Sequence, residues 1–307
     1  MSHGAGVPSG MVRRGRLLED RMYSRRDLAK IALGAFSAGR LLAKPNSTIR
    51  GVTIGIHSRS FRDQPLEAAV AAMVQVGIGS CELWEGHVTP PRMTRKGLRE
   101  WREAIAIEQF QLVAGIFNKA GVKIHAYNYD FDEDFSDLEI ARGFEMTKAL
   151  GASLVTASSP PAMAKGLNAA AVKAGMFVGM RNRDAAQPGN LSNPDDLDAA
   201  MRGNSNIGIC LDLGDYSAAG YDPVKFITSH LDRTYAVYLR DRKQDHGESV
   251  PFGQGNTPLA AVLKLIQGRK STIPAMIDYD YKGRDPVAEV DRCYAFCRQI
   301  LTAKFAR

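Results

Sequence analysis

Apolar and polar positions along most of this chain switch repeatedly between a two-residue and a helical period. Val52–Ile56 is a short β-branched run, and Leu66–Val76 carries apolar residues at the spacing of a buried helix face. Ser80–Trp84 reads as a second strand. Leu98–Ala120 reads as one long helix, with Trp101, Ile105, Phe110, Val113 and Phe117 near helical spacing. Val122–Tyr127, Ala152–Ala157 and Met176–Met180 are the third to fifth strands. Helices over Asp137–Leu150 and Ala162–Ala174 separate them, closed by Gly151 and Gly175. Asn193 caps a helix reaching Met201, with Pro194 at its first position. Ile207–Asp212, Thr234–Leu239 and Ala275–Tyr279 are strands six to eight. Helices over Pro223–His230, Pro258–Gln267 and Pro286–Ala303 follow them. Eight strand–helix units in about 260 residues predict a single (β/α)8 TIM barrel, an α/β fold, over residues 46–307.

In such a barrel the chemistry sits on the face where strands end. That ordering names candidates before any motif does: His57, Glu85 and His87, Tyr127 to Asp130, and Ser158 with Ser159 after the first four strands. Arg181, Asn182 and Arg183 follow strand five, Asp212 and Asp215 strand six, Tyr238 and Arg240 strand seven, and Asp278 and Tyr279 strand eight. Carboxylates, hydroxyls and arginines suit a polyol or an anion better than an apolar ligand.

Composition changes the picture in one respect. The 307 residues are 45% hydrophobic and 24% charged, ordinary for a globular chain, and no run approaches the roughly 18 apolar residues of a membrane span. Four cysteines make no disulfide framework, and no Cys/His spacing resembles a zinc site; Cys293 and Cys297 read as packed thiols. The net charge of +7 invites a nucleic-acid reading until it is located. Residues 1–45 hold nine Lys and Arg against three Asp and Glu, which leaves the rest at +1. A near-neutral body offers no broad basic face for nucleic acid, and no glycine pattern cradles a nucleotide phosphate.

The basic leader carries Ser24-Arg25-Arg26-Asp27-Leu28-Ala29-Lys30, then the weakly apolar Ile31–Gly39. This resembles a twin-arginine export signal. It implies the translocase as a partner and a periplasmic or extracellular protein, membrane-tethered if the signal stays uncleaved. Arg40 and the lack of a clean Ala-x-Ala before Lys44 leave cleavage open, Met11 and Met22 are alternative starts, and a basic amphipathic helix is the competing reading.

Several segments together resemble the xylose-isomerase-like barrel superfamily. Gly208-Ile209-Cys210-Leu211-Asp212-Leu213-Gly214-Asp215 is similar to its strand six, and Arg233 to Asp241 to its strand seven. Pro251-Phe252-Gly253-Gln254-Gly255 is similar to its Gly-Glu-Gly loop, and Pro274 to Tyr279 to its strand eight. The superfamily includes sugar isomerases and epimerases, inosose dehydratases and endonuclease IV. The resemblance implies a divalent metal held by a Glu, an Asp, a His and a Glu after strands five to eight. The metal polarises a sugar carbonyl while a carboxylate moves a proton through an enediolate.

This chain departs from that pattern. Asp212 is kept, but Arg181-Asn182-Arg183 stands where Glu-Asn-His is usual, Asp215 and Tyr238 replace histidines, and Asp278 shortens the last Glu. A guanidinium cannot ligate a cation and repels it. No resident metal or other cofactor is therefore expected, with Mn, Mg and Zn the ions to test. Arg181 either pairs with Asp212 or Asp278 in place of the metal, or meets an anionic sugar phosphate or uronate together with Arg183. A relocated metal is a third option, through Glu85 and His87 on one extended face with Asp212, near His57, Glu82 and His125.

The expected ligand is a small carbohydrate. Asp212 and Asp278 are the catalytic candidates; His57, Glu85, His87, Arg181, Arg183, Asp215, Tyr238 and Arg240 are the substrate-binding ones. Two functions stay open: a sugar or cyclitol isomerase/epimerase with an altered site, and a catalytically silent carbohydrate-binding barrel. Nuclease chemistry needs more clustered histidines than the six scattered here.

Overall fold

The structure is a computed structural model that describes residues 44–184, 191–283 and 285–303; the Arg25–Arg26 leader lies outside them. Eight parallel strands pair in chain order: β1 (Val52–His57), β2 (Ser80–Trp84), β3 (Lys123–Asn128), β4 (Leu154–Ala157), β5 (Phe177–Arg181), β6 (Ile207–Asp212), β7 (Thr234–Leu239) and β8 (Ala275–Ile277). Closure comes from β8, which pairs with both β7 and β1, while β1 also pairs with β2. The expected (β/α)8 barrel is what forms.

Every residue of β4 and β6 is buried. Strands packed between a filled interior and a helical coat read as unbroken apolar runs. Ala126, Leu154, Cys210, Ala236, Tyr238 and Met276 meet in the interior. Small residues make room for larger ones there: a Cβ on Gly179 would lie 2.3 Å from Cys210 Sγ.

The coat comprises α1 (Leu66–Val76), α2 (Arg95–Ala104), α3 (Glu108–Ala120), α4 (Asp137–Ala149), α5 (Ala164–Ala174), α6 (Pro194–Met201), α7 (Leu213–Ala218), α8 (Pro223–Ser229), α9 (Leu259–Gly268) and α10 (Pro286–Thr302). Ser136 and Glu139 form a capping box on α4, and Asn193, Asp222 and Asp285 each cap a helix that starts with proline.

Three differences from the sequence expectation bear on the site. The single helix expected over Leu98–Ala120 is two, α2 and α3, broken after Ala104. Arg142 supplies the reason. Its guanidinium donates to the carbonyls of Arg102 (3.1 Å) and Ile105, acceptors that a continuous helix would have used itself. Strand eight stops at Ile277 and not at Tyr279, so Asp278 sits just past its end. Finally, α7 begins directly after β6, with Asp212 accepting from the amide of Asp215 at 3.0 Å.

Candidate active site

Arg181 and Asp212 are the last residues of β5 and β6, so their side chains converge at the mouth of the barrel. One Arg181 nitrogen, Nη2, donates to Asp212 Oδ2 at 2.6 Å and to Asp278 Oδ2. Arg240, just beyond β7, closes the ring. Its Nη2 donates to Asp278 Oδ2 at 2.7 Å, and its Nη1 lies 3.6 Å from Asp212 Oδ2. Two guanidiniums thus alternate with two carboxylates. Burial pushes the carboxyls of Asp212 and Asp278 up, but Arg181 and Arg240 outweigh it. Both acids stay below the usual range, Asp278 well below.

A second layer supports this ring. The Tyr238 ring lies 3.9 Å from Arg181 Cζ, a cation–π contact. Tyr238 OH donates to Glu82 Oε1 at 2.7 Å, and Thr156 Oγ1 donates to the same oxygen at 2.8 Å. His57 lies between acids, with Nδ1 3.3 Å from Asp278 and Nε2 3.7 Å from Glu82. His57, Glu82, Arg181, Asp212, Tyr238 and Asp278 are each no more than 3% exposed. They form a sealed floor.

Above the floor opens a polar cleft of about 330 Å³. Asp215 lines it from the first turn of α7 and accepts from Arg240 at 3.1 Å and from Arg242 at 2.7 Å. Burial and the neighbouring Asp212 raise its carboxyl despite those arginines. Arg242 also reaches Asp184 at 2.8 Å. Also in the lining, Arg59 meets Asp280 at 3.4 Å, and Arg183 lies 3.7 Å from Asp130. Arg242 lies on a short antiparallel ladder with Ser249 that forms one rim. The Gly253-Gln254-Gly255 loop folds against that ladder. The amides of Gly253 and Gly255 donate to Asp241 Oδ2 at 2.8 and 3.0 Å, and a Cβ on Gly255 would collide with the same carboxylate.

Of the residues singled out from the sequence, Arg181, Asp212, Asp278, Tyr238 and His57 come together in the floor, and Arg183, Asp215 and Arg240 line the cleft. Glu85 and His87 do not share an extended face. They lie on one 3-10 turn, Glu85–His87, and diverge. Glu85 accepts from Arg102 at 3.0 Å; burial raises its carboxyl to about 7, Arg102 opposing and Asp130 adding. His87 turns to Ser58 Oγ at 2.9 Å and the Phe61 carbonyl at 3.3 Å, and burial lowers its pKa. His125 lies at the other end of the barrel, where it lines a larger, mostly apolar cavity of about 370 Å³ with Phe177, Tyr235 and Pro274. Burial lowers its pKa to about 4. All four cysteines are buried and free. Sequence reasoning missed Arg59, Asp184, Arg242 and Asp280 as lining residues. Arg242 and Asp280 stand two residues past Arg240 and Asp278, so the strand period was an available signal.

The donor set does not fit the divalent cation that the fold suggests. Only Asp212 and Asp278 occupy the corresponding strand ends as carboxylates, and the Arg181 guanidinium stands between them. Among the described residues no group of three His, Cys, Asp or Glu side chains is arranged to hold a metal.

The barrel has counterparts among solved structures. A D-allulose 3-epimerase from Methylomonas sp. is similar over 81% of this chain and 98% of its own, with a TM-score of 0.63 and 12% identity. The probable 3-DHS dehydratase AsbF of Bacillus anthracis matches 82% of this chain and 100% of its own, at TM-score 0.62 and 11% identity. A 3-keto-D-glucoside 4-epimerase from E. coli covers 81% and 99%, at TM-score 0.61 and 14% identity. At these identities the likeness is one of fold alone, carried by the TM-scores. No curated protein sequence matches the chain. The sequence profile of one family does match, over residues 70–299, three-quarters of the chain: it belongs to the xylose isomerase-like TIM barrel family.

Proposed function

We propose that this protein binds a small carbohydrate in the C-terminal cleft and does not run metal-assisted isomerisation there. One observation carries the reading: the Arg181 guanidinium lies between Asp212 and Asp278. That placement supplies no Lewis acid, and it holds both carboxylates below their ordinary range. The polar wall above suits hydroxyl groups, and the sugar epimerases and the dehydratase of the same fold support a carbohydrate-sized ligand. The Arg25–Arg26 leader supports placing this role outside the cytoplasm, after passage through the twin-arginine translocase. Chelator-stripped protein titrated with a panel of monosaccharides and sugar acids tests the reading, alongside an isomerisation assay in manganese. Binding without turnover supports it, and metal-dependent turnover refutes it.

A second reading has its own observation. Glu85 sits after β2 with its carboxyl raised to about 7, the range of a working general base. A metal-free epimerase would use it, and solvent deuterium entering a bound sugar, abolished by Glu85→Gln, would favour that activity over silent binding.

A further inference from the structure

Behind the rim of the cleft lies a carboxylate that faces backbone rather than ligand. Asp241 follows Arg240 directly and is 2% exposed. Its Oδ2 accepts from the amides of Gly253 (2.8 Å) and Gly255 (3.0 Å), and its Oδ1 accepts from the amide of Thr257 at 3.2 Å. Amides gathered onto one anion in this way form a nest, and Gly253, at a φ of +87°, supplies its left-handed residue.

The gathered segment then takes hold of Arg242. The Arg242 amide donates to Thr257 Oγ1 at 3.1 Å, and the Asn256 amide donates to the Arg242 carbonyl at 2.8 Å. Both backbone polar groups of Arg242 are thus satisfied by the loop that Asp241 organises. The Arg242 guanidinium carries the connection into the cleft. Its Nη1 reaches Asp215 at 2.7 Å and Asp184 at 2.8 Å, while Nε and Nη2 donate to the carbonyls of Gly247 (2.8 Å) and His246 (3.0 Å).

Resting on the carbohydrate reading above, we propose that Asp241 is a positioning residue for the cleft. Its carboxylate fixes the backbone of Arg242 through the Gly253–Thr257 loop, and the Arg242 guanidinium in turn fixes Asp215 and Asp184. The charge is part of the device. Amide hydrogen bonds to an ionised acceptor are stronger than those to a neutral one. An asparagine keeps one oxygen for Gly253 and Gly255 but turns an NH2 group toward the Thr257 amide, donor against donor.

The experiment compares the full chain with Asp241→Ala, Asp241→Asn and Gly255→Ala, by amide hydrogen exchange and by titration with glucose and glucuronate. In Asp241→Ala, exchange should quicken over residues 251–257 and also over residues 213–216, where Arg242 holds Asp215. Affinity for whichever sugar binds the unmodified chain should fall about tenfold, the loss of one charge-assisted contact. At constant ionic strength formate should restore both, because the vacated nest takes a small carboxylate, whereas neutral formamide should not. Asp241→Asn should lie between the two. Gly255→Ala, whose Cβ would collide with the Asp241 carboxylate, should loosen residues 213–216 with the charge still in place. These two variants carry the comparison if Asp241→Ala does not fold. Faster exchange confined to residues 251–257, with affinity unchanged, would make Asp241 a loop anchor only and overturn the proposal, as would equal recovery in formamide. If the unmodified chain binds neither sugar, the carbohydrate reading falls; exchange over residues 213–216 and its recovery in formate then decide the role of Asp241.

Discussion

Arg181→Met is the sharpest test of the floor. It removes the guanidinium shared by Asp212 and Asp278 and keeps much of its apolar volume over Tyr238. Breaking a buried ion pair by deleting one partner costs about 3–5 kcal/mol, because a buried charge is left uncompensated. Arg240 still reaches both carboxylates, at 2.7 and 3.6 Å, so the expected loss lies near 3 kcal/mol. For a domain of this size that lowers the melting temperature by roughly 6–12 °C.

The pH dependence should change sign as well. In the native protein Asp278 titrates well below its ordinary value. Its ionisation therefore stabilises the fold at neutral pH, and that stability is lost as pH falls below about 4 and the unfolded chain takes up protons first. In the variant, two buried acids share one guanidinium, so one of them holds its proton to higher pH than the unfolded chain does. Its contribution is present in acid and lost as pH rises, so the deficit should be smaller at about pH 5 than at about pH 8. Urea unfolding followed by circular dichroism at both values measures this. An unchanged melting temperature with no difference between the two pH values would refute the ring as described.

Three further outcomes follow from other contacts. The unmodified protein should take up no stoichiometric manganese or zinc by isothermal titration, whereas Arg181→Glu with Tyr238→His should bind at least weakly, since together they restore a carboxylate–imidazole set. One tight ion per native chain, lost in Asp212→Ala, would sink the first half. Gly179→Ala should cost about 1–3 kcal/mol, because its Cβ would meet Cys210 Sγ at 2.3 Å, and Cys210→Ala in the same chain should recover most of it in denaturant melts. Replacing Arg25 and Arg26 with lysines should retain the protein in the cytoplasm on cell fractionation, since the translocase reads the arginine pair rather than its charge; unchanged export would remove the signal reading.

The barrel was legible because each strand is a short apolar run and each helix an amphipathic one, both local properties of the chain. Most of the site was legible for a related reason: a barrel places strand ends together, so Arg181, Asp212, Arg240 and Asp278 could be grouped before any distance was known. What escaped depended on distant partners. The break between α2 and α3 is set by Arg142, some forty residues away, whose guanidinium takes carbonyls that periodicity assigns to the helix. The partners of Arg181 stayed undecided because the residue type suits both an internal pair and a ligand. The converging Asp212 and Asp278 supply the pair, and only packing could reveal that. Glu85 and His87 looked like neighbours on an extended segment, whereas the turn after β2 sends one to Arg102 and the other to Ser58.

The ring also explains how the mouth of this barrel holds two buried carboxylates. Asp212 cannot simply be dispensed with: besides facing Arg181, it caps α7 and fixes the start of the segment that carries Asp215. Two buried carboxylates at adjoining strand ends need positive charge nearby, and a single guanidinium supplies half of it. Arg240 supplies the other half, so two guanidiniums match the two carboxylates. A metal ion in such a position can accept an oxygen of the ligand into its coordination shell. A guanidinium pinned to two aspartates at 3% exposure has little to offer a ligand directly. Arg59 and Arg183, on the wall of the cleft above, are each about one-third exposed.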